Sequence, residues 1–207
     1  MELEVGFGNG VQRFTVPERN LQGVLTPNPV PHALTGEREV RRALSSPIGA
    51  PLLREVIHPG EKIAIITSDI TRPMPTYTVM PALLDELYAG GARPEDITLV
   101  FALGSHRAQT PEEMRHLAGE QAWAQIRCVD SDPADVVHLG VTSAGTPVDI
   151  TRVVAEADRR ICLGNIEYHY FAGYSGGAKA IMPGVSTPSA IQSNHSMMVR
   201  ELSLIHI

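Results

Sequence analysis

From residue 62 to residue 164 the chain repeats one pattern: a short apolar run, a polar loop, then an amphipathic stretch. That alternation restricts the fold more than any other feature. Residues 62–67 (KIAIIT) and 96–103 (DITLVFAL) are strand-sized and nearly continuous in apolar side chains, as strands buried on both faces must be. Residues 77–89 (YTVMPALLDELYA) have helical apolar spacing and stop at Gly90 and Gly91. Residues 111–118 form a second expected helix, opened by Thr110 with Glu113 at capping-box spacing. Shorter strands are expected over 126–130 and 160–164, with a small hairpin over 144–150 near Gly145. Strands alternating with helices build βαβ units, so the expectation is an α/β fold with a mostly parallel sheet and flanking helices.

Ahead of this region, Leu3, Val5 and Phe7 and then Val11, Phe14 and Val16 alternate with polar residues around Gly8-Asn9-Gly10. Such a pattern predicts an amino-terminal β-hairpin. Prolines at 27, 29 and 31 then enforce an extended connector over 25–31, and a short helix is expected over 37–44, ending near Pro47. With 207 residues and 43% hydrophobic side chains the chain can bury one large core. It is read as one α/β domain over residues 1–201.

Several function classes are disfavoured. The formal net charge is −6 with no clustered basic stretch, which argues against nucleic-acid binding. Apolar runs are far too short for a bilayer span, so no membrane association is expected. The amino terminus MELEVGFGNG has neither the basic nor the apolar part of a signal peptide, and the protein is read as cytoplasmic. Cys128 and Cys162 lie in apolar segments without CxxC spacing and are expected to be two buried, free thiols.

A parallel sheet also makes a positional forecast, because ligands bind beyond the carboxyl ends of its strands. Three expected strands run into polar or glycine-rich loops, 68–73 (SDITRP), 104–107 (GSHR) and 165–169 (NIEYH). Asp69 either accepts from a ligand hydroxyl or caps its own turn and pairs with Arg72, whose planar fork suits an anionic group. His106 is a candidate general base. In the third stretch Gly173, Gly176 and Gly177 allow close backbone approach before Lys179, whose neighbours 178 and 180–182 are all apolar. The stretch matches neither GxxxxGK[ST] nor GxGxxG, so a nucleotide P-loop is disfavoured. His169 and His195 add imidazoles, without the spacing that identifies a metal.

SDITRPMP, FALGSHR, GNIEYHYFAGYSGGAKAIMPG and the NH of SNHS, in this order, resemble the nickel-pincer cofactor-dependent lactate racemase family over roughly residues 1–200. The resemblance implies racemisation or epimerisation of a small 2-hydroxyacid by reversible hydride transfer to a pyridinium-3-thioamide-5-thiocarboxylate mononucleotide holding nickel. It makes Lys179 the tether of that cofactor, His195 the protein's nickel ligand, and His106 and His169 the acid/base pair. Asp69, Gly173, Gly176 and Gly177 fall at cofactor-binding positions and Arg72 at a substrate-binding one. It also implies cofactor-biosynthesis proteins as partners and a carboxyl-terminal domain that this sequence lacks. Residues 202–207 (LSLIHI) are read as a non-native tail, and the chain is expected to be inactive alone. A Schiff-base lyase using Lys179 and a non-catalytic domain binding a nucleotide-like ligand are the alternatives.

Overall fold

The computed structural model describes residues 1–169 and 172–199. The expected tail at 202–207 lies outside the described residues. The chain forms two compact units, residues 1–33 and 34–207. The first is the hairpin forecast from Gly8-Asn9-Gly10: β1 (Glu2–Phe7) and β2 (Gly10–Thr15) pair antiparallel, with Leu3 opposite Phe14 and Phe7 opposite Gly10.

The second unit runs α1 (Glu37–Ser45), α2 (Leu53–Val56), β3 (Ile63–Ser68), α3 (Thr76–Ala89), β4 (Ile97–Ala102), α4 (Pro111–Gln125) and β5 (Arg127–Asp130). It continues through β6 (Val136–Val141), β7 (Pro147–Thr151), α5 (Arg152–Ala155), β8 (Arg159–Cys162), β9 (Tyr168–His169), β10 (Gly173–Tyr174) and α6 (Pro188–His195). Four strands form an all-parallel sheet in the order β5-β4-β3-β8. β6 and β7 make a separate antiparallel hairpin, as do β9 and β10.

Period-two alternation divides the central strands between two cores. Ile63, Ile65, Leu99 and Phe101 pack with Met80, Leu83, Leu84 and Leu87 of α3 and with Leu117 and Ala122 of α4. Ala64, Ile66 and Val100 face the other way, onto Ile150, Val154 and Val185. Both faces of β3 and β4 are therefore dry, which is why their sequences are continuous rather than alternating. Leu84 is fully buried, and Leu84→Ala is expected to lower unfolding stability by about 2–5 kcal/mol in a denaturant titration.

The helix expected over 111–118 extends to Gln125 across a break at Gly119, whose φ of 76° only glycine adopts readily. A side chain there would press on Tyr77, its Cβ falling 3.1 Å from the tyrosine Cβ, so the break lets α4 pass close over α3. At its start, Glu113 N–H donates to Thr110 Oγ1 at 3.2 Å while the Glu113 carboxylate accepts from Thr110 N–H at 2.9 Å. The hairpin near Gly145 pairs residues on both sides of that turn, with the whole of β6 added to what the sequence suggests. The two thiols are free, but Cys128 is only partly buried and Cys162 is exposed. That corrects the expectation of two buried cysteines: β8 is an edge strand, and an apolar sequence context does not guarantee cover at a sheet's edge. Among the described residues no helix is long and apolar enough to cross a membrane.

Candidate functional site

The carboxyl ends of β3, β4 and β8 open into a cleft of about 480 Å³. Its walls include Asp69 and Arg72 from the loop after β3, His106 from the loop after β4, and His169, Gly176, Lys179 and His195 from the segment after β8. Every charged or imidazole side chain singled out by sequence for the site thus reaches one cavity, with Gly176 forming backbone wall. Gly173 and Gly177 are absent from the lining. They contribute positive φ angles of 80° and 56° that turn the chain between cleft residues.

Asp69 is 3% exposed. Its Oδ2 lies 2.7 Å from His106 Nδ1, and its Oδ1 accepts from Thr71 Oγ1 at 2.7 Å and from Thr71 N–H at 3.3 Å. The side chain therefore caps its own turn, one of the two readings left open by sequence. The pairing that went with that reading is replaced: the second oxygen turns to His106, and Arg72 is bonded through its N–H, which donates to the Asp69 backbone carbonyl at 3.2 Å. A buried carboxylate can only accept, so His106 Nδ1 carries the donated proton and Nε2 is left as the ring's acceptor. His169 has the opposite arrangement. Its Nδ1 accepts from Ala172 N–H at 3.3 Å, which puts the proton of the neutral ring on Nε2.

Burial, then the nearby charges of Lys179, Arg72 and His195, hold His169 below the usual histidine range, with Glu167 opposing them. The ring is therefore neutral at neutral pH. Lys179 sits in a 3₁₀ turn, Gly177–Ala180, and is partly buried. Burial and then the Arg72 guanidinium depress its ammonium, again against Glu167. A lysine so placed loses its proton more readily and becomes the better nucleophile. Gly176 has to be glycine: its φ is 80°, and a Cβ would fall 3.0 Å from the Asn165 carbonyl oxygen and 3.2 Å from Ile166 Cγ1. His195 closes α6, in the last turn, where the helix dipole is negative.

Sequence reasoning missed α6 and the β9–β10 hairpin. Thr187 followed by Pro188 is a legible signal for the former, an N-cap with proline at N1; Thr187 Oγ1 accepts from Ala190 N–H at 3.2 Å. It also assigned no role to Glu167, which lines the cleft and whose charge favours the protonated forms of His169 and Lys179. Among the described residues no group of three or more His, Cys, Asp or Glu side chains is arranged to hold a metal ion.

The family described as lactate racemase N-terminal domain matches residues 7–204. A lactate racemase from Thermoanaerobacterium thermosaccharolyticum is 34% identical over 198 residues, covering 93% of this chain and 46% of its own length. One from Lactiplantibacillus plantarum is 38% identical over 168 residues, covering 79% of this chain and 39% of its own length. The chain therefore spans less than half the length of these relatives. The lactate racemase apoprotein structure from T. thermosaccharolyticum superposes with a TM-score of 0.82 at 34% identity, over 94% of this chain and 46% of that one. A Thermotoga maritima structure shares the fold alone, with a TM-score of 0.62 at 21% identity over 83% of this chain and 44% of that one. The fold superposes on that of a lactate racemase apoprotein and the family match runs across nearly the whole sequence: the chain belongs to the lactate racemase N-terminal domain family.

Proposed function

We infer that this chain supplies the acid/base groups and the cofactor attachment site of a cytoplasmic 2-hydroxyacid racemase or epimerase. The observation that supports this most is one cleft lined by two imidazoles, His106 held through Nδ1 by Asp69 and His169 held through Nδ1 by the Ala172 N–H, so that both present Nε2. Inverting a hydroxylated carbon needs such a pair, because each enantiomer presents its hydroxyl differently. One group must remove the hydroxyl proton and the other must return one.

The residues fit a nickel-pincer nucleotide. The cleft has one lysine of lowered basicity and one histidine at a helix end, and among the described residues no all-protein metal cage. That donor set suits a metal held mostly by its organic cofactor, with Lys179 as tether and His195 as the protein's ligand. When bound, the cofactor supplies a reversible acceptor for hydride from carbon. The chain's own residues do the rest. His106 Nε2 takes the hydroxyl proton in one direction, with Asp69 holding the ring and stabilising the imidazolium. His169 acts from its protonated form: the imidazolium, made more acidic by burial and the neighbouring charges, returns a proton through Nε2, and the two exchange roles in reverse. Arg72 offers its guanidinium to the substrate carboxylate. Gly176, packed against Asn165, gives the cleft a backbone wall beside which the nucleotide would lie.

The partners of this reading are a small 2-hydroxyacid, cofactor-biosynthesis proteins, and a carboxyl-terminal domain like that of the relatives. A full-length form coexpressed with cofactor-biosynthesis proteins is expected to show a mass adduct on Lys179 and stoichiometric nickel, the nickel being lost in His195→Ala. A bare Lys179 would sink the reading. Borohydride trapping of substrate on that lysine would favour the lyase alternative.

A further inference from the structure

Gln109 does not line the cleft, yet it is only 8% exposed and its amide is bonded at both ends. Its Oε1 accepts from the backbone N–H of Ile70 at 2.8 Å. Its Nε2 donates to Asp130 Oδ1 at 2.9 Å, and its backbone N–H donates to Asp130 Oδ2 at 2.8 Å. Asp130 ends β5, the edge strand opposite β8, and β5 contributes no residue to the cleft. Ser131, the next residue, accepts from Leu103 N–H at 3.1 Å through its hydroxyl and donates its own N–H to the Phe101 carbonyl at 2.9 Å.

The end of β5 therefore grips two loops at once. Through Ser131 it holds the start of the loop that presents His106. Through Asp130 and Gln109 it holds Ile70, the residue next to Asp69. The Asp69–His106 bond joins side chains 37 positions apart on those same two loops, so its length depends on both being fixed. A drift of about 1 Å in either would break it.

We propose that Gln109 and Asp130 form a positioning clamp that sets the Asp69–His106 pair, and through it the tautomer of His106. Neither residue touches substrate or cofactor. The inference rests on His106 being an acid/base group. It adds that the ring's proton inventory is controlled from the edge of the sheet. The Gln109 amide is required for a specific reason: only a side chain that accepts from Ile70 N–H and donates to a carboxylate completes the chain of bonds.

The test is ¹⁵N NMR of His106 in the neutral-imidazole range, which reports the ratio of Nδ1–H to Nε2–H forms. In the wild-type chain Nδ1–H is expected to dominate. Asp69→Asn gives the spectrum of a lost pair. Gln109→Ala is expected to lower the ratio on the order of tenfold, the worth of one hydrogen bond to a charged group. Gln109→Glu is expected to do the same, because it sets two carboxylates against each other. The double variant Gln109→Glu with Asp130→Asn reverses the polarity of the pair. The carboxylate introduced at position 109 would accept from Ile70 N–H and from the amide introduced at position 130. The carbonyl of that amide keeps the bond to the backbone N–H of residue 109, and the ratio should return.

A simple loss of stability lowers melting temperature in all three variants that change Gln109, without restoring a tautomer in the double one. An unchanged ratio in folded Gln109→Ala overturns the clamp and leaves the acid/base reading standing. So does a folded double variant that fails to recover. A wild-type His106 found as Nε2–H overturns the pair itself and the role proposed for His106 with it.

Discussion

Replacing His106 with Asn in a full-length, cofactor-loaded protein is expected to slow racemisation by about 10²- to 10⁴-fold, the usual worth of a positioned acid/base group. The same range is expected for His169→Asn. The two variants should differ in a way that overall rates conceal. If each ring serves as base for one enantiomer, a single-turnover experiment with each pure enantiomer separates them. His106→Asn should lose proton removal from one hydroxyacid isomer while retaining measurable oxidation of the other, and His169→Asn should show the mirror preference. Equal loss of both isomers in both variants would mean that the histidines bind or orient substrate. Asp69→Asn should resemble His106→Asn, because an amide can donate to Nδ1 and so push the proton onto Nε2, where the acceptor is needed. The acid side of the pH profile carries a further check. His169 is held below the usual histidine range partly by the Arg72 charge, so Arg72→Gln should move its limb to higher pH as well as weaken substrate binding.

The large features of this fold are visible in the residues because burial leaves periodicity behind. β3 and β4 are packed on both faces, so residues 63–66 and 97–101 are almost uniformly apolar; α3 shows its buried Met80, Leu83, Leu84 and Leu87 at helical spacing. β9 and β10 have two residues each and bury little, so no pattern could announce them. The grouping of site residues follows from topology alone, since loops following parallel strands share a rim. Their partners do not. Asp69 close to Arg72 in sequence suggests a local pair, but the buried carboxylate reaches His106 from a neighbouring strand's loop. The bond between Gln109 and Ile70 spans 39 positions and depends on how far two loops rise above the sheet. Such pairings are decided by tertiary geometry, and one sequence holds no record of them.

Gly184→Ala is expected to be among the most damaging small substitutions in the chain. Gly184 follows the turn that carries Lys179: its N–H donates to the Lys179 carbonyl at 3.0 Å, and its own carbonyl accepts at 2.9 Å from the N–H of Gly104, which opens the loop carrying His106. One glycine thus ties the lysine turn to the histidine loop. A Cβ at this position would lie well inside contact distance of the Ala180 carbonyl oxygen, 2.8 Å from the Ala180 carbonyl carbon and 2.9 Å from Ala102 Cβ. Each of these is backbone or a short, fixed side chain, so no flexible group can swing away. Either the turn carrying Lys179 shifts or β4 does. The overpacking should cost about 1–3 kcal/mol. That corresponds to a fall in melting temperature of roughly 2–12 °C for a domain of this size. Gly177→Ala provides the contrast. Its Cβ would meet nothing within 4 Å, and only its positive φ of 56° opposes the change. A loss of about 1–2 kcal/mol without movement of the turn is therefore expected. The two variants separate strain from displacement. In a loaded full-length protein, Gly184→Ala should reduce attachment at Lys179 beyond what its melting temperature explains, whereas Gly177→Ala should alter stability and leave attachment intact. Equal attachment in both would show that Lys179 does not depend on this packing for its position.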